Sequence, residues 1–133
     1  FEKNKNLENS VISVLGTAYK ANVSDVRNSP SEKIIKHLLD FSCKIKVNDP
    51  NTDTSFGGLY EKNILKTIEK SDLLVILTDH DEYKKLDLQV LRDIMNENPI
   101  LVDTKRVFDK KIADDAGFLY VSVGYHSLGD KIN

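Results

Sequence analysis

VISVLGTAYKANVSDVRNSPSE, residues 11–32, carries a strand, a loop and a helix start in one stretch. Residues 11–15 form a short apolar-biased run that stops at Gly16, which reads as a β-strand. Ser29-Pro30-Ser31-Glu32 then reads as a helix start. Ser29 can cap the first turn, Pro30 fits the first helical position because it has no N–H to leave unpaired, and Glu32 stands where a capping box needs a carboxylate. The residues between form a long strand-to-helix loop. In an open α/β sheet such a loop sits at the carboxyl edge of the strands, where these sheets bind ligands. It presents Tyr19, Lys20, Asp25 and Arg27: an aromatic face, two cations and one anion. It lacks G-x-G-x-x-G, so it is poorly suited to hold a dinucleotide pyrophosphate on glycine amides. Lysine and arginine side chains can meet phosphate instead.

Outward from that stretch, strand and helix patterns alternate. Ile34, Ile35, Leu38 and Leu39 put an apolar stripe on one helix face. Residues 44–48 alternate, with Ile45 and Val47 apolar, and stop at Asp49-Pro50. Residues 51–58 are loop by composition, and residues 61–70 are helical with Ile64, Leu65 and Ile68 inward. The apolar run 73–77 marks a central buried strand. Asp87 can cap a helix whose Leu88, Leu91, Ile94 and Met95 fall at helical spacing, and Pro99 ends it. Residues 100–102 make the next strand, 109–116 a last helix stopped by Gly117, and 118–123 a last strand. The expected fold is therefore α/β, three-layer and Rossmann-like. It has an open parallel sheet of five strands, order 3-2-1-4-5, with helices on both faces. The domain spans residues 11–123. Residues 1–10 read as a polar lead from the upstream part of a longer chain, and 124–133 as a polar tail.

That order makes the first and fourth strands neighbours at the topological switch point. Tyr19 and Lys20 would then stand close to Lys105 and Arg106. A flat aromatic beside fixed cations suits a nucleoside diphosphate. The plainer alternative leaves Lys20 and Arg106 as solvated rim charges. Arg27 reads first as a partner of Asp25 that stiffens the loop.

Composition narrows the class. A net charge of −2 over 133 residues gives no general reason to expect nucleic acid or an anionic membrane as partner. The most apolar run is far too short to span a bilayer. The single cysteine, Cys43, excludes an internal disulfide and suits a reducing cytoplasm. At the turn before the second strand it reads as a packing residue rather than a nucleophile. Asp79-His80-Asp81 reads as loop-ordering, because three adjacent residues in an extended loop cannot all turn to one metal ion. His37 reads as solvated, and His126 has no partner that sequence identifies. No Ser-His-Asp order, Cys-x-x-Cys pair or H-E-x-x-H is present, so no catalytic residue, metal site or cofactor site is expected here.

Residues 16–30, Asp49-Pro50, the run from Leu74 to His80 and Val102-Asp103-Thr104-Lys105-Arg106 occur in an order that resembles the carboxyl-terminal, UDP-binding domain of the UDP-glucose/GDP-mannose dehydrogenase family. The first motif has the form G-x-A-[FY]-K-x-x-x-x-D-x-R-x-S-P, and the likeness covers nearly the whole chain. The resemblance implies a cytoplasmic enzyme that oxidises a sugar C6 alcohol to a carboxylate in two steps, with NAD as oxidant. It also implies an amino-terminal domain that binds NAD, a central dimerising segment giving a homodimer or higher, and a nucleophilic cysteine, all outside this chain. By motif position Tyr19 and Lys20 touch the UDP-sugar and Lys105-Arg106 meets its nucleotide end, while Asp25, Arg27 and Ser29 structure the loop. Two positions depart from the family pattern. Ala21 stands where proline is common, and Asp103-Thr104-Lys105 where Asp-Gly-Arg is common. Lysine is a point charge without a bidentate fork, so Lys105 takes the role by register with Arg106 in reserve. The motif wording resembles members acting on UDP-N-acetylhexosamines more than UDP-glucose. Competing readings are a receiver-like module, which needs acids after the first strand that Thr17-Ala18-Tyr19-Lys20 does not supply, and a coenzyme A or nucleotide-binding module.

Overall fold

The computed structural model describes residues 7–41 and 44–122. Its elements are β1 (Val11–Leu15), α1 (Pro30–Leu39), β2 (Lys44–Asn48), β3 (Leu59–Tyr60), α2 (Ile64–Ile68), β4 (Leu73–Ile76), α3 (Asp81–Lys84), α4 (Leu88–Ile94), β5 (Ile100–Asp103), α5 (Lys110–Ala116) and β6 (Leu119–Ser122). All strand pairs are parallel, in the order β3-β2-β1-β4-β5-β6. The chain runs outward from β1 to β3, returns past β1 to β4, and continues outward to β6. Right-handed crossovers in opposite directions place their helices on opposite faces.

The two apolar clusters follow from that winding. Ile35, Leu38 and Leu39 of α1 pack on Ile12, Val14, Ile45, Val47, Leu73 and Val75. On the other face Ile68, Tyr83, Leu88, Leu91 and Ala113, from α2 to α5, pack on Leu15, Leu74, Ile76 and Leu101. Helices thus lie on both faces, but unevenly. Leu119 and Val121 of β6 share the α1 face and stay exposed. Four helices start on a side-chain cap, from Ser29, Asn63, Asp87 and Asp109, each worth about 1 kcal/mol. Gly117, at φ 101°, closes α5 in the left-handed conformation.

The sheet corrects the expected one in two ways. It has six strands rather than five, because Leu59–Tyr60 pairs with Lys46 and Val47 at the β2 edge. Two residues, both exposed, leave no apolar run to detect. With that edge position filled, residues 73–76 lie beside β1, and β5 lies one strand further out. The first strand therefore does not neighbour residues 100–103, and the switch point falls between β1 and β4.

Local differences have local causes. The helix expected over 61–70 shortens to Ile64–Ile68 because Asn63 accepts from Lys66 N and Glu61 from Asn63 N, which fixes the start. Leu65 and Ile34, expected inward, are exposed. The Ser29 N–H is taken by Val26 O, so Glu32 does not close a capping box and pairs with Lys36 instead. Cys43, Val123 and the tail with His126 lie outside the described residues. No helix among the described residues is long and apolar enough to cross a membrane.

Candidate functional site

At the switch point the end of β1 passes close against the loop after β4. Gly16 has φ +104°, and a Cβ there would meet Thr78 N at 2.7 Å. Glycine is required on both counts, conformation and space. Thr78 Oγ1 donates to Ala18 O (3.1 Å), fastening the two loops together.

Beneath them lies a fully buried pair, Asp49 from the end of β2 and His80 from the start of α3. Asp49 Oδ2 accepts from Thr17 N (2.8 Å), Ala18 N (3.0 Å) and His80 Nε2 (2.9 Å), while Oδ1 accepts from Asn51 N (2.8 Å). His80 Nδ1 accepts from Asn22 N at 2.9 Å. An acceptor at Nδ1 and a donor at Nε2 define one neutral tautomer. Burial pushes the Asp49 carboxyl up, but the bonds from His80, Asn51, Thr17 and Ala18 outweigh it and hold the carboxyl below its ordinary value. Asn22, in the left-handed region at φ 63°, also accepts from Asp81 N through Oδ1 (3.0 Å). The loop after β1 is thus held from β2 and from α3 at once.

Tyr19 and Lys20 stand on that held backbone. Tyr19 is 54% exposed and Lys20 is exposed. Tyr19 N donates to Asp25 O at 2.6 Å, which folds the loop back on itself. Asp25 and Arg27 form an exposed bidentate pair, Nε to Oδ1 at 3.0 Å and Nη2 to Oδ2 at 2.9 Å. The Arg27 side-chain bonds are the main reason the Asp25 carboxyl lies at about 2. Ser29 Oγ accepts from Ser31 N (3.2 Å) and reaches Ala18 O (3.4 Å), joining the α1 cap to the loop.

A second buried carboxylate organises the loop after β5. Asp103 Oδ1 accepts from Lys105 N (3.3 Å) and Val107 N (3.0 Å), and Oδ2 from Phe108 N (2.8 Å) and the Tyr120 hydroxyl (2.9 Å). Burial and the bond to Asp103 push the Tyr120 hydroxyl above its ordinary range. Lys105 and Arg106 are exposed on this turn, with Arg106 at φ 53°. A hollow of about 590 Å³ opens beside it, lined by Arg106, Phe108, Asp109, Lys110 and Tyr120. Thr104 Oγ1 donates to Ile76 O at 2.7 Å, tying this loop to the end of β4.

Both cationic loops therefore leave the same carboxyl edge, with β4 between them rather than side by side. Two strand spacings set β1 and β5 about 10 Å apart. Another hollow, about 870 Å³, lies along the outer face of α1 and collects no convergent charge at this edge. The donor set does not fit a dinucleotide. Gly16 is followed by Thr17, Ala18 and Tyr19 rather than a glycine-rich turn, and α1 starts only after residues 16–29. No cluster of three metal-ligating side chains occurs among the described residues.

Sequence reasoning passed over Asn22 and Tyr120 and gave Asp49 no partner. In sequence Asp49-Pro50 marks a strand end, His80 has a loop-ordering place, and both fall in family-like motifs, but nothing there links the two. Their pairing spans 31 residues and follows from strand order, which periodicity does not encode.

Residues 13–110 match the model of the UDP-glucose/GDP-mannose dehydrogenase family, UDP binding domain. The chain is 36% identical over 119 residues to a UDP-N-acetyl-D-mannosamine dehydrogenase of Methanococcus vannielii, covering 87% of this chain and 27% of the relative. It is 34% identical over 127 residues to a UDP-glucose 6-dehydrogenase of Rickettsia bellii, covering 90% and 29%. Among solved structures, a UDP-N-acetyl-mannosamine dehydrogenase of Staphylococcus aureus superposes with TM-score 0.70 at 26% identity, covering 100% of this chain and 29% of that one. An NDP-N-acetyl-D-galactosaminuronic acid dehydrogenase of Methanosarcina mazei superposes with TM-score 0.85 over 92% of this chain and 26% of that one, at 24% identity, a likeness of fold. The chain spans under a third of the length of the curated relatives it matches.

Proposed function

The chain belongs to the UDP-glucose/GDP-mannose dehydrogenase family, and from that premise we propose that it binds the nucleotide end of a UDP-sugar for an NAD-dependent 6-dehydrogenase. In this reading Lys20 and Lys105 meet the diphosphate from two loops of one sheet edge, Tyr19 packs on the ligand, and Arg106 stands at the rim. Asp25, Arg27 and Ser29 keep the first loop in shape. The observation that carries the reading is the presentation of Tyr19 and Lys20. Both are exposed at the switch point, on a backbone that buried groups fix from below. A loop backbone fixed in advance removes part of the ordering cost of binding.

The reaction proposed is oxidation of the sugar C6 alcohol to a carboxylate in two steps, with NAD accepting the hydrides. NAD binding, the nucleophilic cysteine and dimerisation belong to other parts of a longer cytoplasmic protein. This chain contributes by binding and orienting the substrate and by closing water out from one side. Both substrate types occur among the relatives. We assign a UDP-N-acetylhexosamine, on the wording of residues 18–27, with UDP-glucose as the second reading.

Titration calorimetry tests the proposal. The chain should bind UDP weakly, because contacts from other domains are absent, and should give no heat with NAD. Tight NAD binding without a response to UDP would overturn it.

A further inference from the structure

We propose that Asp49 and His80 are positioning residues for the UDP site: neither touches the ligand, and together they set the conformation in which Tyr19 and Lys20 meet it. The proposal rests on the reading that these two residues bind the nucleotide.

Asp49 has no free acceptor directed at solvent. It is fully buried, and three of its four bonds go to the segment Thr17–Ala18 and to His80. The two backbone amides it holds immediately precede Tyr19 and Lys20. Their N–H vectors are therefore fixed by one oxygen, Oδ2. His80 fixes the same loop further on, through Asn22 N. The four residues Ala18 to Ala21 include both proposed contacts, and their flanks are pinned by one buried pair on either side.

The groups facing His80 define what it can do. Asp49 Oδ2 lies at Nε2; Asn22 N and, at 3.4 Å, the Asn51 amide lie at Nδ1; and the Tyr83 ring stands edge-on at 5.5 Å. Tyr83 itself is committed to Asn48, through its O and Oδ1. Only the Nε2–H tautomer satisfies both ends. A pair that merely filled the core would not need this tautomer, nor a carboxylate with three donors on one oxygen. An apolar pair would fill the space without a buried charge.

Two substitutions separate the links. In His80→Asn the side-chain oxygen takes the place of Nδ1 and still accepts from Asn22, but the donor to Asp49 is lost. In His80→Gln the amide nitrogen takes the place of Nε2 and still donates to Asp49, but the acceptor for Asn22 is lost. UDP affinity of the chain is measured by calorimetry well below the unfolding temperature. Lys20→Ala marks the binding site, and Met95→Ala, a core truncation at the C-cap of α4, serves as stability control. Each His80 variant should weaken UDP binding about tenfold or more, the scale of a lost charge-assisted contact at Lys20. The Tyr19 and Lys20 amide resonances should move with it, and Met95→Ala should bind as the parent does. Nitrogen shifts of the His80 ring in the unsubstituted chain should show Nδ1 bare and Nε2 protonated, which tests the geometry without any variant.

If Lys20→Ala weakens binding while both folded His80 variants bind within twofold of the parent, the positioning role is refuted and the UDP site stands. If Lys20→Ala itself has no effect, the site is wrong. Equal weakening in Met95→Ala, or a protonated Nδ1 in the parent, would likewise overturn the positioning role.

Discussion

Gly16→Ala should be among the most damaging single-methyl changes this chain can undergo. The residue has φ +104°, a region that L side chains rarely occupy, and the added Cβ would lie 2.7 Å from Thr78 N and 2.5 Å from Thr78 Oγ1. Backbone strain of this kind costs about 1–3 kcal/mol. The steric term adds about 1–3 kcal/mol, as for other overpacked sites. The hydroxyl can rotate, but Thr78 N belongs to a backbone held between Leu77, bonded to Leu15 O, and the buried His80. Relief must therefore come from moving β1 and β4 apart at their carboxyl ends. The sum is about 4 kcal/mol, a large share of the 5–15 kcal/mol typical of a domain. Urea denaturation of the parent and the variant, compared at equal slope, measures it. The same displacement breaks the Thr78–Ala18 bond, so UDP affinity should fall even at urea concentrations where the variant is folded. A loss below about 1 kcal/mol with UDP affinity retained would refute the close-approach argument.

Thr17 Oγ1 is buried without a hydrogen-bond partner among the described residues, so Thr17→Val should stabilise by about 1 kcal/mol, raising the midpoint of thermal unfolding; a drop of that size would show that the hydroxyl is bonded. Carboxyl titration by NMR should place Asp25 at about 2, against its ordinary 3.8, and return it towards 3.8 in Arg27→Ala. Because the folded value is the lower one, whatever stability the pair confers is present above about pH 4 and disappears as pH falls towards 2. Both side chains are exposed, so Arg27→Ala should barely shift thermal stability at neutral pH. In the proposed UDP-sugar dehydrogenase Lys105→Ala should raise the KM for the UDP-sugar about tenfold to hundredfold, and Lys105→Arg should hold or lower it; an unchanged KM in Lys105→Ala would remove that loop from the proposed site.

The strands and caps were legible where one short window held the whole signal. Ser29 and Asp87 each accept from the amide two residues on, residues 11–15 form one apolar-biased run stopped at Gly16, and residues 44–48 carry their own alternation. Strand order was not legible, because Leu59–Tyr60 is two residues long and exposed, and its presence decides which strand lies beside β1. The charged residues of the proposed site, Lys20, Lys105 and Arg106, stood out by type and position in their loops. What holds them did not. Asp49 with His80, and Asp103 with Tyr120, are long-range pairs of residue types that sequence places more readily in turns than in a core.

The sheet edge that carries the loops after β1 and β5 is the proposed receptor for a nucleoside diphosphate. The most direct test is amide chemical-shift mapping of the labelled chain during titration with UDP. Shifts are expected to concentrate at residues 16–20 and 104–106, on both sides of β4, to vanish in Lys20→Ala, and to be absent with NAD. Shifts confined to the outer face of α1, or none along the carboxyl edge at saturating UDP, would contradict the account.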